Sequence, residues 1–296
     1  MRNLPLPTRA TASGDLELAI RRYRYRNVWH GHEITPAEIV NVLALYDRYD
    51  ADSGVASDML RGTGFPAALI DALEAAFDKT QKGRMLYSLR ERLFDGVKHC
   101  PICGIDPPVE LDHFLPRSEF KPLAIYSRNL VPICHACNLN KLAGFGDQDG
   151  NQLLFLHAYF DIFPDIQFLK AEIDISDGGL VVCFTSNPDV VLPGNYATRL
   201  DGQMKALKLN KRYDSEINTY MSGHAVSLHL NHSTGGQAAV RRFLRAQAVH
   251  ERGEFHRNHW RPTLLSALAA HHGFTSGGFA EVLPVSTAVL QELASL

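Results

Sequence analysis

The sequence predicts an α+β protein in which a small cysteine-stapled core sits between a helical N-terminal region and a mixed, mainly helical C-terminal region. Three observations carry this reading. Apolar residues recur at helical spacing between capping signals over residues 1–96; two C-x-x-C pairs bracket a short insert within 97–146; and strand-like runs give way to Ala- and Leu-rich helical segments over 147–296. At 296 residues, 45% of them hydrophobic and 21% charged, the chain has an ordinary soluble composition and is long enough for one large or two modest domains.

In the first region, "RRYRYR" (Arg21 to Arg26) alternates Arg with Tyr, as a strand with a basic face does. Mixtures of basic and aromatic residues suit nucleic acid, and a solvated edge strand would show the same pattern. "TPAE" (Thr35 to Glu38) supplies an N-cap Thr, Pro at the first helical position and Glu three after the cap, followed by an apolar stripe through Ile39, Val42, Leu43 and Tyr46. A second helix is expected from Pro66 to about Phe77, and a third through "RMLYSLRERLF" up to Gly96.

Beyond the cysteines, "NQLLFLHAYFDIF" precedes "AEIDISDGGLVVCF", where Asp-Gly between apolar runs signals a hairpin. Cys183 stands alone in the second run and reads as a buried strand thiol. "GGQAAVRRFLRAQAVHERG", "PTLLSALAAHHG" and "PVSTAVLQELASL" each suit a helix with Gly or Pro punctuation.

A formal net charge of −2 excludes a coat held to nucleic acid by bulk charge and leaves room only for a focal basic surface. No run is long and apolar enough for a membrane span, and "MRNLPLPTRATASGD" carries prolines where a signal peptide has its apolar centre. A cytoplasmic location is the expectation, with no membrane partner.

The chemistry concentrates between Cys100 and Lys141. Cys100 and Cys103 ("CPIC") and Cys134 and Cys137 ("CHAC") have zinc-ligand spacing, and in a reducing compartment such pairs read as metal ligands rather than disulfides. The gap of about thirty residues exceeds that of an ordinary zinc ribbon, so one tetrahedral zinc would pin the start of an insert to its end. Inside the insert, "VELDHFLPRSEF" places Asp112 beside His113, the residue types that bind a hard cation and activate water. Consecutive strand residues face opposite ways, so the two can share a site only where the strand twists or ends, which Phe114 to Pro116 is expected to bring about. Arg117 and Lys141 flank the motif as candidate phosphate contacts. Glu110, two before Asp112, shares its strand face and could touch metal-bound water. His135 is expected to be exposed, and His157 in "HAYFD" to pack near the site.

The run C-x-x-C, D-H, N-L-V, C-x-x-C-N-x-x-K, covering Cys100 to Lys141, resembles the HNH endonucleases, the His-Me finger or ββα-metal group, in a zinc-stapled form. The resemblance implies that His113 is the general base, that Asp112 and Asn138 hold the catalytic cation, and that Asn129 ties the loop that orients the histidine. This chain has Asn where many relatives have His at the last position and so reads H-N-N. The implied cofactors are a structural Zn²⁺ on the four cysteines and a catalytic Mg²⁺ or Mn²⁺. The implied activity is phosphodiester hydrolysis, foremost in DNA, and the pattern looks like nucleases that bacteria use in anti-phage defence, sometimes beside a separate ATPase. Two other readings stand beside it: a zinc-stapled nucleic-acid-binding module without catalysis, and an RNA-cleaving toxin. The chemistry agrees with the nuclease reading independently of the family, because phosphodiester hydrolysis needs an activated water, a cation and a rigid support for both.

Overall fold

The computed structural model describes residues 1–146, 155–176 and 179–295. The chain is mixed α+β and divides into two compact units, residues 3–163 and residues 164–296 with Met1 and Arg2. The helical layer expected over 1–96 and the cysteine core expected over 97–146 therefore pack as one unit, which continues to Phe163, and the second unit begins at Pro164 rather than at 147.

In the first unit, α1 (Ala12–Ala19) leads into a hairpin of β1 (Tyr23–Tyr25) and β2 (Val28–His30), so "RRYRYR" pairs with a strand of its own making. α2 (Pro36–Ala51) opens with the capping box predicted at Thr35 and Glu38. Its buried face is Val42, Leu45, Tyr46 and Tyr49, rotated from the predicted stripe because the tyrosines pack inward against the insert. The ring of Tyr46 stacks on Tyr126 at 4.0 Å, and Tyr49 meets Tyr126 edge-on at 5.7 Å. α3 (Ala67–Ala76) and α4 (Tyr87–Phe94) fall where the periodicity put them. α3 packs on the single turn Lys121–Leu123, and the turn Asp58–Arg61 meets the same segment through Gly62 at its end. Gly62 lies at φ +76, and a Cβ there would come within 2.7 Å of the Pro122 side chain.

Next come β3 (Glu110–His113), β4 (Leu130–Ile133) and α5 (His135–Lys141). The strands are antiparallel, with Glu110 opposite Ile133 and His113 opposite Leu130. β4 is buried throughout, as a strand covered on both faces must be, and the Tyr159 hydroxyl donates to Leu130 O at 2.8 Å.

The second unit is built on the hairpin of β5 (Leu169–Ser176) and β6 (Gly179–Ser186). Its predicted Asp177-Gly178 turn lies outside the described residues, as do Asn151 to Leu154 of the preceding apolar run. Alternation along β6 buries Leu180, Val182 and Phe184, which corrects the expectation for Cys183: one face of the hairpin meets solvent, and the thiol is on it. α6 (Tyr196–Ala206) and α7 (Leu209–Ser222), which the sequence reading did not delimit, pack against β6, and the Asn210 side chain accepts from Phe184 N and donates to Phe184 O like an extra strand. α8 (Ala225–Glu254) breaks at Gly235 and Gly236, where the Gly-Gly punctuation stood. α9 (Trp260–Ala270), α10 (Phe279–Val282) and α11 (Thr287–Ala294) complete the unit. Among the described residues, no helix is long and apolar enough to cross a membrane.

Candidate functional site

Cys100, Cys103, Cys134 and Cys137 are buried, and their sulfurs all lie within 4.8 Å of one another. The Cys103 and Cys134 sulfurs stand 3.6 Å apart. Four thiolates at about 2.3 Å from one zinc would stand about 3.8 Å apart, so the cluster has the size and donor set of a tetrahedral zinc site. Each half is shaped for thiolates. After Cys103, Gly104 turns at φ +69 and Ile105 N–H donates to the Cys103 sulfur at 3.4 Å. Cys134 caps α5 and accepts the Cys137 N–H at 3.4 Å. Hydrogen bonding from Cys100 holds the Cys103 and Cys134 thiols below their ordinary range, while burial pushes Cys100 above it.

The cluster ties the segment before β3 to the start of α5, and so lays α5 along β3. Alternation in β3 turns Glu110 and Asp112 to this helix. Asp112, 8% exposed, receives Lys141 Nζ at 3.1 Å on one oxygen and 3.0 Å on the other. Burial raises the Asp112 carboxyl and Lys141 opposes that rise. Lys141 also donates to the His113 and Phe114 carbonyls at 2.8 and 3.3 Å. Lys141, expected from the sequence as a phosphate contact, has its amine buried and engaged on Asp112 and the end of β3.

Glu110 divides its carboxylate between His135 Nδ1 at 2.6 Å and Asn138 Nδ2 at 2.6 Å. His135 is exposed as expected, yet serves as this ion-pair partner. A carboxylate only accepts, so the Asn138 amide must turn its nitrogen to Glu110 and its Oδ1 away. That oxygen has no hydrogen-bond partner among the described residues.

His113 leaves β3 on the opposite side. Its Nε2 lies 2.9 Å from Ala124 O, and its ring meets Phe77 edge-on at 4.4 Å. The carbonyl can only accept, so Nε2 carries the proton and Nδ1 keeps its lone pair. Burial pulls the ring's pKa down to about 4, so it is neutral at pH 7. Asp112 and His113 thus turn to different partners, one to α5 and the other to the loop after β3. Arg117 stands near the histidine, its guanidinium 5.2 Å from the Phe77 ring and 3.2 Å from Asp78.

Asn129 is 0% exposed and ties the loop between the strands. Its Oδ1 accepts from Leu115 N at 2.9 Å and from the Tyr49 hydroxyl at 3.1 Å; its Nδ2 donates to Leu115 O and Leu123 O at 3.1 and 3.4 Å. The chain of donors runs further than the sequence suggested. His157 Nδ1 accepts from Tyr159 N–H at 3.1 Å, so its Nε2–H donates to the Tyr49 oxygen at 2.9 Å, and Tyr49 donates in turn to Asn129. "HAYFD" does bring its histidine near the site, as a buried support. Tyr49 escaped the sequence reading because a tyrosine three residues after Tyr46 continues a core stripe and carries no other signal.

No family model matches the chain, and no solved structure matches it. A sequence relative is Protein ea31 of Escherichia phage lambda, 26% identical over 151 residues, which are 49% of this chain and 49% of that protein. The chain therefore spans about half the length of the relative it matches.

Proposed function

We propose that the chain is a metal-dependent endonuclease of the HNH type that hydrolyses phosphodiester bonds, foremost in DNA, in bacterial defence against phage or other foreign DNA. The observation that supports it most is the state of His113: a neutral imidazole whose Nε2–H is held by a backbone carbonyl, leaving Nδ1 as the base, at the end of a strand whose previous residue is an acid. On this reading Nδ1 takes the proton of the attacking water, and Ala124 O fixes the ring that does so. Asn129 holds the loop that carries Ala124. The four cysteines hold α5 on β3, and Arg117 contacts a phosphate. Asp112 and the outward Oδ1 of Asn138 are hard oxygen donors that suit Mg²⁺ or Mn²⁺. Such a cation, when bound, neutralises charge growing on the phosphate and the leaving oxygen.

One observation favours a second reading, a zinc-stapled nucleic-acid-binding module without catalysis. Lys141 already engages both Asp112 oxygens, at 3.1 and 3.0 Å, and so stands where the cation's charge would be. Incubation of the protein with plasmid DNA and with structured RNA, in Mg²⁺ and in EDTA, separates the two. Metal-dependent cleavage that His113→Ala abolishes supports the enzyme, and the preferred polymer identifies the substrate. Binding without cleavage in Mg²⁺ and in Mn²⁺ overturns it.

A further inference from the structure

The hairpin of β1 and β2 is exposed on every residue from Arg21 to Gly31. Its pairs are Tyr23 with His30, Arg24 with Trp29 and Tyr25 with Val28, so Tyr23, Tyr25, Val28 and His30 share one face and Arg24 and Trp29 the other. Tyr23, Tyr25, Val28 and Trp29 are 58%, 57%, 56% and 62% exposed. Three pairs with neither face covered cannot hold themselves together by burial. The ribbon is fixed instead by its turn and its base. Arg26 and Asn27 take left-handed φ of 46 and 62, the twist that a two-residue hairpin turn requires. At the base, Ile34 N–H donates to Ile20 O at 3.3 Å, and His32 meets Glu38 at 3.0 Å, the same glutamate that closes the capping box of α2. A rigid mount thus presents apolar and aromatic surface to solvent.

Charge identifies what covers it. Arg21, Arg22, Arg24 and Arg26 fall in a stretch with no acid before Glu33, in a chain whose net charge is −2. Among the described residues none of the four makes an ion pair within 4.0 Å, and Arg26 rests over the Tyr25 ring at 5.3 Å. Positive charge on both faces of a narrow ribbon, with flat rings between, matches a polyanion that carries bases. We propose that the β1–β2 hairpin is a nucleic-acid-binding ribbon that enters the major groove of duplex DNA, with the arginines on phosphates and Trp29 against the bases. That groove is about 12 Å wide and admits a two-stranded ribbon. The inference goes beyond the catalytic reading and does not depend on it.

The test uses the full chain carrying His113→Ala, so that DNA stays intact. Trp29 is exposed and the other tryptophan, Trp260, is 2% exposed, so change in tryptophan emission reports on the hairpin. A short mixed-sequence duplex should change that emission, and the change should vanish in Trp29→Phe. Replacing Arg22, Arg24 and Arg26 with Gln should flatten the log–log salt dependence of binding by roughly 2.7, at about 0.9 per phosphate contact. Over a fourfold rise in salt the parent then loses roughly 40-fold more affinity than the variant. The replaced side chains are exposed, so folding is not at stake, and circular dichroism checks it. Duplex binding in a mobility-shift assay with no change in Trp29 emission overturns the proposal. So does an unchanged salt slope in the triple variant, which would return the hairpin to a solvated edge strand. Cleavage by the wild type is scored separately: a chain that binds through the hairpin and does not cut refutes the nuclease reading alone, and one that cuts without using the hairpin refutes the ribbon alone.

Discussion

Asn129→Ala is expected to destabilise the first unit by about 2–6 kcal/mol, because it strands two buried donors at about 1–3 kcal/mol each. Those donors are Leu115 N–H, 2.9 Å from Oδ1, and the Tyr49 hydroxyl at 3.1 Å, on residues that are themselves 0% exposed. The Leu115 carbonyl loses the Asn129 donor as well, while the Leu123 carbonyl keeps Tyr126 N–H at 3.1 Å. Set against a domain stability of about 5–15 kcal/mol, the loss is large enough to lower the urea midpoint visibly. Asn129→Asp should be no better, since it keeps the acceptor and turns a second oxygen to the two carbonyls. Tyr49→Phe removes both the donor to Asn129 and the acceptor of His157 Nε2–H and should cost about 1–3 kcal/mol, with a coupling to Asn129→Ala of at least about 0.5 kcal/mol in a double-mutant cycle. The assay is urea denaturation followed by far-ultraviolet circular dichroism, with cleavage measured where each variant is folded. An Asn129→Ala variant within about 0.5 kcal/mol of the parent would refute the reasoning, because surface substitutions typically stay inside that range.

His113→Ala should abolish cleavage while zinc content stays at the parent's level, since the histidine is no ligand of the staple; near-parental cutting would sink its assignment. Cys103→Ser or Cys134→Ser should lose zinc and thermal stability together, and a variant that lost zinc yet melted like the parent would remove the staple from the fold's support. Lys141→Met leaves the buried Asp112 carboxylate without its ion pair and should cost about 3–5 kcal/mol, part of it recovered in the Asp112→Asn, Lys141→Met double variant. Denaturation of the parent, the two single variants and the double variant decides this, and additive losses would show that the pair is not coupled. Activity should follow Mg²⁺ or Mn²⁺ rather than added Zn²⁺ or Ni²⁺, with Asn138→His moving the preference toward the softer ions. Equal parental rates in Mg²⁺ and Ni²⁺ would exclude Asn138 as the ligand.

What the sequence determined by itself is local. Capping at Thr35 and Glu38, the periodicity of α3 and α4, the Gly-Gly break in α8 and the ligand spacing of the four cysteines all depend on neighbours a few residues apart, where propensity and spacing act directly. The exposed face of the β5–β6 hairpin was misread at Cys183, because alternation says that faces differ and only the partner says which is wet. The site was legible as a list of residues and not as an arrangement. Sequence placed Asp112, His113, Asn129, Asn138 and Lys141 in order. Only the tertiary structure decided that Lys141 would be buried against Asp112, that Glu110 would orient Asn138, and that Asp112 and His113 would leave β3 toward different partners. It also decided that Tyr49 and His157, from α2 and from beyond the insert, would hold Asn129 across separations of 80 residues and more. The physical reason is the low dielectric of the interior. A buried amide, amine or carboxylate must find its partner or lose about 1–3 kcal/mol, more when charged, and that partner is set by which elements the core brings together rather than by distance along the chain.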